Sequence, residues 1–487
     1  MGLSVCLTMA ILLSAPAETR IHSMCDVSHE FTFYMDGRFA KQYIGEGVDA
    51  RNWGTLHKLD LANVNLLVLS SGPGPVPYAA ESIAHVRRFV EAGGAVVILG
   101  DRPRGASAYA FHIQTLAAAF RASFLEERGE KPLKPAAALK AEEVEYYGGG
   151  VLQVPAGWTV LIADARGRPV MARGEIGKGF VLIASRGLFG HRPDASDPIN
   201  AEWIKPLLVN LVQNRPVDRA HPPKSQSAEL SHRVDDLTVE YHEGTKVFAD
   251  GIVEEYKIVK KHLEEITGVP PSKGNLTHLL MLPTGGGGFS SGQRIAIGAW
   301  WGDYPRNRYP MIELISHEAG HSWVLPYPEP VWNEPIATYL GIEVGRRLGM
   351  KQATETLERA IARARKSDPE MNRVDISRKD APNDVVWGKT YWIFEQLRAK
   401  YGKDAMATYF QAKRRMLQPG RKGYTLDDCV AVWSAAVGED LFPWFLSLGI
   451  SVDRARTGLA AERQPLGRLL KGATTNSSST ALPTAAR

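Results

Sequence analysis

Two apolar runs, at residues 64–69 and 95–99, flank a stretch at 79–92 with helical periodicity. The first run is broken only by Asn65, and the second, Ala-Val-Val-Ile-Leu, is unbroken. A strand buried on both faces reads this way, because neither face can carry polar side chains. On the intervening helix Ile83, Val86, Phe89 and Val90 share one side, and Gly93-Gly94 closes it. Parallel neighbours in a sheet need a long crossover, and a helix supplies it. Strand, helix, strand in this order therefore predicts a parallel sheet covered by helices. A further strand at 180–184 and a helix at about 201–214 extend the pattern. Residues 27–215 are accordingly expected to form an α/β domain.

Residues 216–235 are polar and proline-bearing, and read as a linker. A second domain is expected over 236–450. It begins with a short strand at 237–241 and an amphipathic helix at 247–267, which Gly268 and Pro270-Pro271 terminate. Strands are expected at 277–282 and 294–300. The glycine run 285–288 between them is not a phosphate-binding loop, since no Gly-Lys-Ser/Thr follows. From Pro310 helices dominate, so this domain is α+β and mostly helical. The tail at 471–487, rich in Ser, Thr and Ala, reads as disordered.

The chain has 487 residues, room for two or three domains, and a formal net charge of +5. Its basic residues are spread along the sequence, which argues against a nucleic-acid footprint. The apolar run at 3–13 precedes Ala15-Pro16-Ala17, so residues 1–17 read as a signal peptide, although no Lys or Arg precedes the run. Export, to the periplasm or outside the cell, is the expectation. No other segment is apolar and long enough to span a membrane. Of the three cysteines, Cys6 would leave with the leader, and a Cys25–Cys429 disulfide is then conceivable.

The chemistry concentrates at His317-Glu318-Ala319-Gly320-His321. Ile312, Ile315 and Ala319 give this stretch the apolar side of a helix. Residues four apart lie one above the other on a helix face, so the two imidazoles can bind one zinc ion. Glu318 stands where its carboxylate can hold a water against the metal. Zinc lowers the pKa of that water to about 7, and the carboxylate can take its proton and pass it on. A catalytic zinc needs a third protein ligand. The Gly and His that metzincins place after the second histidine are replaced by Val324 and Tyr327. The next candidate is Glu334, in Val-Trp-Asn-Glu-Pro-Ile-Ala-Thr-Tyr at 331–339, where Asn333 could cap a helix and Pro335 suits its first turn. Glu329, between two prolines, and Glu343 are the other candidates.

H-E-x-x-H followed by a W-N-E-x-x-A-x-Y helix resembles the gluzincin metallopeptidases. This implies His317, His321 and Glu334 as zinc ligands. The short spacing from His321 to Glu334 is most similar to the enhancin-like, mucin-binding branch. Gluzincins also carry a tyrosine on a later helix that steadies the developing oxyanion. Tyr391, in the helix opening Val-Trp-Gly-Lys-Thr-Tyr at 386–391, is the candidate, with Tyr327 and Tyr339 behind it. The strand at 294–302 would form the edge of the cleft and pair with an extended substrate, or else be an ordinary core strand. Upstream, "LLVLSSGPG", "VRRFVEAGGAVVILG" and "GKGFVLIASRGLFG" resemble the class I glutamine amidotransferase-like fold, a flavodoxin-like parallel sheet. No cysteine stands at the Leu99-Gly100-Asp101 turn, so that domain is expected to be non-catalytic.

The expected function is a zinc-dependent peptidase acting on protein or glycoprotein substrates. No G-x-M-E-N-like motif for gripping a free N-terminus is present, which favours an endopeptidase. The alternative is a catalytically silent glycan- or protein-binding module on the same fold. The intact Glu318 and histidine pair argue against it.

Overall fold

The computed structural model describes residues 19–28, 43–44, 47–70, 77–102, 112–189, 199–228, 230–272, 274–282, 288–298, 304–324, 330–417, 424–457 and 459. The leader 1–17, the tail 471–487, Tyr327 and Glu329 lie outside them. The chain divides into two compact units, Met1–Ser227 and Ala228–Arg487.

The first unit is built on β1 (His22–Asp26), β2 (Val48–Asn52), β3 (Leu66–Ser70), β4 (Ala95–Gly100), β5 (Ser123–Arg128), β6 (Lys134–Pro135), β7 (Gly150–Gln153), β8 (Thr159–Ala163), β9 (Pro169–Ile176) and β10 (Gly179–Ser185). Its helices are α1 (Ala80–Glu91), α2 (Ile113–Ala119) and α3 (Ala201–Leu211). Eight strands form one sheet in the order β2-β1-β3-β4-β10-β9-β8-β6, and β5 pairs with β7 apart from it. Alternate residues feed opposite faces. Leu66 and Val68, with Ala95, Val97 and Leu99, pack with α3, whereas Leu67, Leu69, Val96 and Ile98 pack with α1 and α2. Covering both faces is what makes residues 66–69 and 95–99 continuously apolar.

The parallel reading holds only for β2, β1, β3, β4 and β10. Beyond β10 the sheet turns antiparallel through β9, β8 and β6, so it is mixed rather than parallel. A two-residue turn makes the switch. Ile176 pairs with Gly179, and Gly177 takes φ +59°, the left-handed conformation such turns favour. Cys25 and Cys429 are both buried, and neither is in a disulfide.

The second unit opens with β11 (Leu230–Val234) and β12 (Leu237–Tyr241), an antiparallel pair. Residues 230–234 are thus a strand, not linker. Their polar composition suits this, because β11 is an edge strand with every side chain at least partly exposed. The sheet continues through β13 (His278–Leu282), β14 (Gly288–Ser290) and β15 (Arg294–Gly298), in the order β11-β12-β13-β15-β14. The other edge is therefore β14, and β15 lies inside the sheet. The short β14 begins at the last glycine of the 285–288 run, which is why it reads as loop.

Helices fill the rest: α4 (Lys246–Thr267), α5 (Tyr309–Val324), α6 (Asn333–Arg347), α7 (Lys351–Ser367), α8 (Asn383–Tyr401), α9 (Ala405–Met416), α10 (Leu426–Val437) and α11 (Phe442–Ser447). Gly268 ends α4 at φ +63° and donates to the Glu264 carbonyl, as a left-handed helix cap does. One apolar core runs through this unit, from Val239 and Ile252 to Ile315, Ile336, Phe394 and Trp433.

Candidate metal centre

Helix α5 is anchored at both ends. Just before it, Arg308 donates two hydrogen bonds of 2.6 Å to the buried Glu255 of α4. Pro310 sits in the first turn, where its missing N–H costs nothing. At the far end the last carbonyls, which have no partner within the helix, are claimed from elsewhere. Ser272 donates its backbone N–H and its hydroxyl to Ser322 O. Arg414 donates to Trp323 O, and Lys413 to Val324 O.

Helix α6 packs against α5. Gly341 brings its backbone close to Glu313, where an added Cβ would stand 2.9 Å from the Glu313 carbonyl oxygen. Glu334 lies in the first turn of α6, where the helix dipole favours negative charge. Asn333 is not a cap. Helix α6 starts at that residue, and its amide donates to Glu334 Oε1 at 2.9 Å, holding the carboxylate.

Three side chains converge. His317 Nε2 lies 3.2 Å from Glu334 Oε2, His321 Nε2 lies 3.6 Å from the same oxygen, and the two Nε2 atoms are 3.3 Å apart. Ligand atoms about 2.0–2.1 Å from a tetrahedral ion stand about 3.4 Å from one another. This is also the cluster of three His, Cys, Asp or Glu side chains found at metal-binding spacing among the described residues. The other face of His317 is occupied, since its Nδ1 lies 2.8 Å from Thr338 Oγ1. If Nδ1 carries the proton, Nε2 presents a lone pair toward a carboxylate and another imidazole. Three electron pairs aimed at one point repel unless a proton or a cation stands between them. Hydrogen bonding to both histidines holds the Glu334 carboxyl far below the usual carboxylate range, and burial lowers the His317 imidazole. Donor set and spacing both fit zinc.

Glu318 is buried beside these ligands. Burial, with the charge of Glu334, pushes its carboxyl up to about 8. A bound divalent cation would draw it back down. Its neighbour is the edge strand: a Cβ added to Gly288 would stand 2.8 Å from both Cγ and Oε1 of Glu318, and 2.5 Å from the Ala296 carbonyl oxygen. The edge of the sheet thus passes directly alongside the proposed base. This place had been expected of residues 294–302, but Arg294–Gly298 is covered on that side by β14.

The remaining candidates lie elsewhere. Glu343 accepts from Arg346 at 2.7 Å and Arg398 at 3.1 Å, and so belongs to a charge cluster away from the imidazoles. Tyr339 donates to Glu395 at 2.6 Å in the same cluster. Tyr391 is 2% exposed, and its hydroxyl interacts with the Thr338 side chain. Its ring packs against Tyr339 and Trp387. Thr338 and Gly288 were both missed by sequence reasoning. Thr338 had a usable signal, being one helical turn beyond Glu334. Gly288 had only its place at the end of a glycine run.

No family model matches the chain, and no curated protein matches it. Among solved structures, yeast LTA4 hydrolase in complex with bestatin aligns with 46% of this chain and 38% of its own, at 16% identity and a TM-score of 0.35. An M1 zinc metallopeptidase from Deinococcus radiodurans aligns over 53% of each chain, at 13% identity and 0.32. A functionally unknown conserved protein from Bacillus anthracis aligns over 49% of this chain and 51% of its own, at 16% and 0.34. The matched part spans about half or less of each of these chains. Such similarities are too distant to establish a fold, and the geometry of the site carries the functional reading. No described helix is long and apolar enough to cross a membrane.

Proposed function

We propose that this chain is a zinc-dependent peptidase of the gluzincin kind, closest to the enhancin-like branch, cutting within protein or glycoprotein substrates. The observation that carries this is the convergence of His317 Nε2, His321 Nε2 and Glu334 Oε2 with a buried glutamate next to them. His317, His321 and Glu334 hold the metal. When bound, zinc polarises the scissile carbonyl and acidifies a water. Glu318 takes the proton of that water as it attacks and delivers it to the leaving amine. The edge at Gly288–Ser290 offers backbone groups against which an extended substrate can lie beside Glu318. The first unit acts as a non-catalytic scaffold or recognition module.

Two substitutions test this with one preparation. Wild type should hold about one zinc per chain, and His317→Ala none. Glu318→Gln should keep the zinc and lose about 10²–10⁴-fold in turnover on a glycoprotein substrate, the usual contribution of a positioned proton shuttle. Zinc bound with no turnover on any protein would favour the silent binding module. Absence of zinc after reconstitution would remove the peptidase reading.

A further inference from the structure

We infer that Thr338 is the positioning residue that makes His317 a metal ligand, by fixing which of its ring nitrogens carries the proton. This rests on the metal-site reading above. A neutral imidazole has one N–H and one lone pair. The nitrogen that ligates must offer the lone pair, so the proton belongs on the other. For His317 the nitrogen facing Glu334 and His321 is Nε2, at 3.2 and 3.3 Å, which assigns the proton to Nδ1. An Nδ1–H this close to the core needs an acceptor, and Thr338 Oγ1 lies 2.8 Å away.

The hydroxyl is well placed to stay there. Thr338 is four residues beyond Glu334 on α6, so both lie on one helix face. A single helix thus delivers one direct ligand and the acceptor that prepares another. Threonine is stiff at its first side-chain torsion, more so than serine. The Tyr391 hydroxyl interacts with the Thr338 side chain. The Tyr391 ring in turn packs against Tyr339 at 6.1 Å and Trp387 at 6.2 Å. Metal-ligating histidines commonly need such an outer partner, and losing it typically costs 10–100-fold in metal affinity. Here the partner is a neutral hydroxyl in place of a carboxylate. It orients the ring without adding negative charge to a site that already holds Glu334 and Glu318.

The experiment compares the full chain as wild type, Thr338→Val and Thr338→Ser. Zinc dissociation constants are measured by competition with a chromophoric chelator. The ring protonation of His317 is read from two-bond nitrogen–proton NMR correlations of the metal-free protein. Thr338→Val keeps the shape and removes the acceptor, so zinc affinity should fall by about 10–100-fold. Thr338→Ser restores the acceptor and should recover most of that loss. In wild type the His317 proton should sit on Nδ1. If Thr338→Val binds zinc as tightly as wild type, or if the wild-type proton sits on Nε2, the role of Thr338 is overturned while the metal site stands. If wild type binds no zinc, the metal-site reading fails and takes this inference with it. Should Thr338→Val not fold, the wild-type proton position and the serine variant still decide.

Discussion

Two polar clusters, one in each unit, are built in opposite ways. In the first unit two buried carboxylates are each surrounded by donors. Asp26, at the end of β1, accepts from Asn52 at 3.0 Å, Ser28 at 2.7 Å and the Tyr78 hydroxyl at 3.4 Å. Asp164 accepts from the Arg168 guanidinium at 2.7 and 3.0 Å and from the backbone N–H groups of Glu130, Arg166 and Arg168. In the second unit two imidazole nitrogens and a carboxylate oxygen converge on one point at His317, His321 and Glu334. A satisfied buried network rigidifies, whereas an unsatisfied one is costly and needs a reason. The contrast separates polar residues that hold a fold from polar residues that await something.

The sharpest way to break that contrast is to supply or remove the missing partner. Zinc at a thousandfold excess over its dissociation constant stabilises the state that binds it by about 4 kcal/mol. Chelation should therefore accelerate amide hydrogen exchange in α5 and α6 while leaving β3 and β4 unchanged. Equal acceleration in both units, or none, sinks the distinction. A smaller effect is expected at the edge strand. Gly288→Ala must displace the Glu318 carboxylate or the Ala296 carbonyl. Misplacing a catalytic group by about 1 Å can cost about 100-fold in rate, so kcat should fall by that order with zinc content intact. Zinc loss in this variant would mean that the strand supports the ligands rather than the base.

Acid sharpens the comparison from the satisfied side. Burial alone would raise the Asp164 carboxyl, but the hydrogen bonds from Arg168 and from the backbone overcome it and hold it below its ordinary value. In the second unit Asp368, fully buried against Lys389 at 2.8 Å, is likewise held low against its burial. A lowered folded-state pKa contributes stability that is complete above the unfolded value of about 3.9. It is lost as pH falls through the folded value. The destabilisation of Asp164→Asn relative to wild type, measured by denaturant unfolding, should thus shrink as pH drops from 7 to 3. A deficit that does not change with pH would show that the interaction is not ionic. The smallest effect is expected at Gly320→Ala. The added methyl meets Leu340 Cδ1 at an ordinary 3.5 Å, and alanine is favoured over glycine in a helix by about 0.5–1 kcal/mol. Zinc binding should be unchanged and stability slightly raised. Lost zinc would mean that α5 and α6 approach more closely than described.

The sequence was most legible where one interaction dictates one pattern. Residues 66–69 and 95–99 are apolar throughout because helices cover both faces of β3 and β4. The spacing of His317 and His321 follows from the helical turn, and Glu334 could be reached from the resemblance of its surrounding motif. What stayed hidden depends on contacts distant in sequence. The antiparallel half of the first sheet rests on a two-residue turn at Gly177-Lys178, just before the strand read at 180–184. The edge at β14 is three residues long and follows glycines, too short for a period-two pattern to register. Thr338 stayed hidden for the same reason, because only the packing of α6 on α5 brings its hydroxyl to His317 Nδ1.

The clamp at the end of α5 carries a consequence for how the protein fails. His321 lies in the last turn of that helix, the turn that ordinarily frays first. Here two of the donors closing it, Lys413 and Arg414, come from α9, 89 and 91 residues further along the chain. Metal retention is thereby made a reporter of whether a distant helix is docked. A truncated or nicked chain that has lost α9 should release its ion before its own motif has been touched, so damage far downstream silences the chemistry at its source.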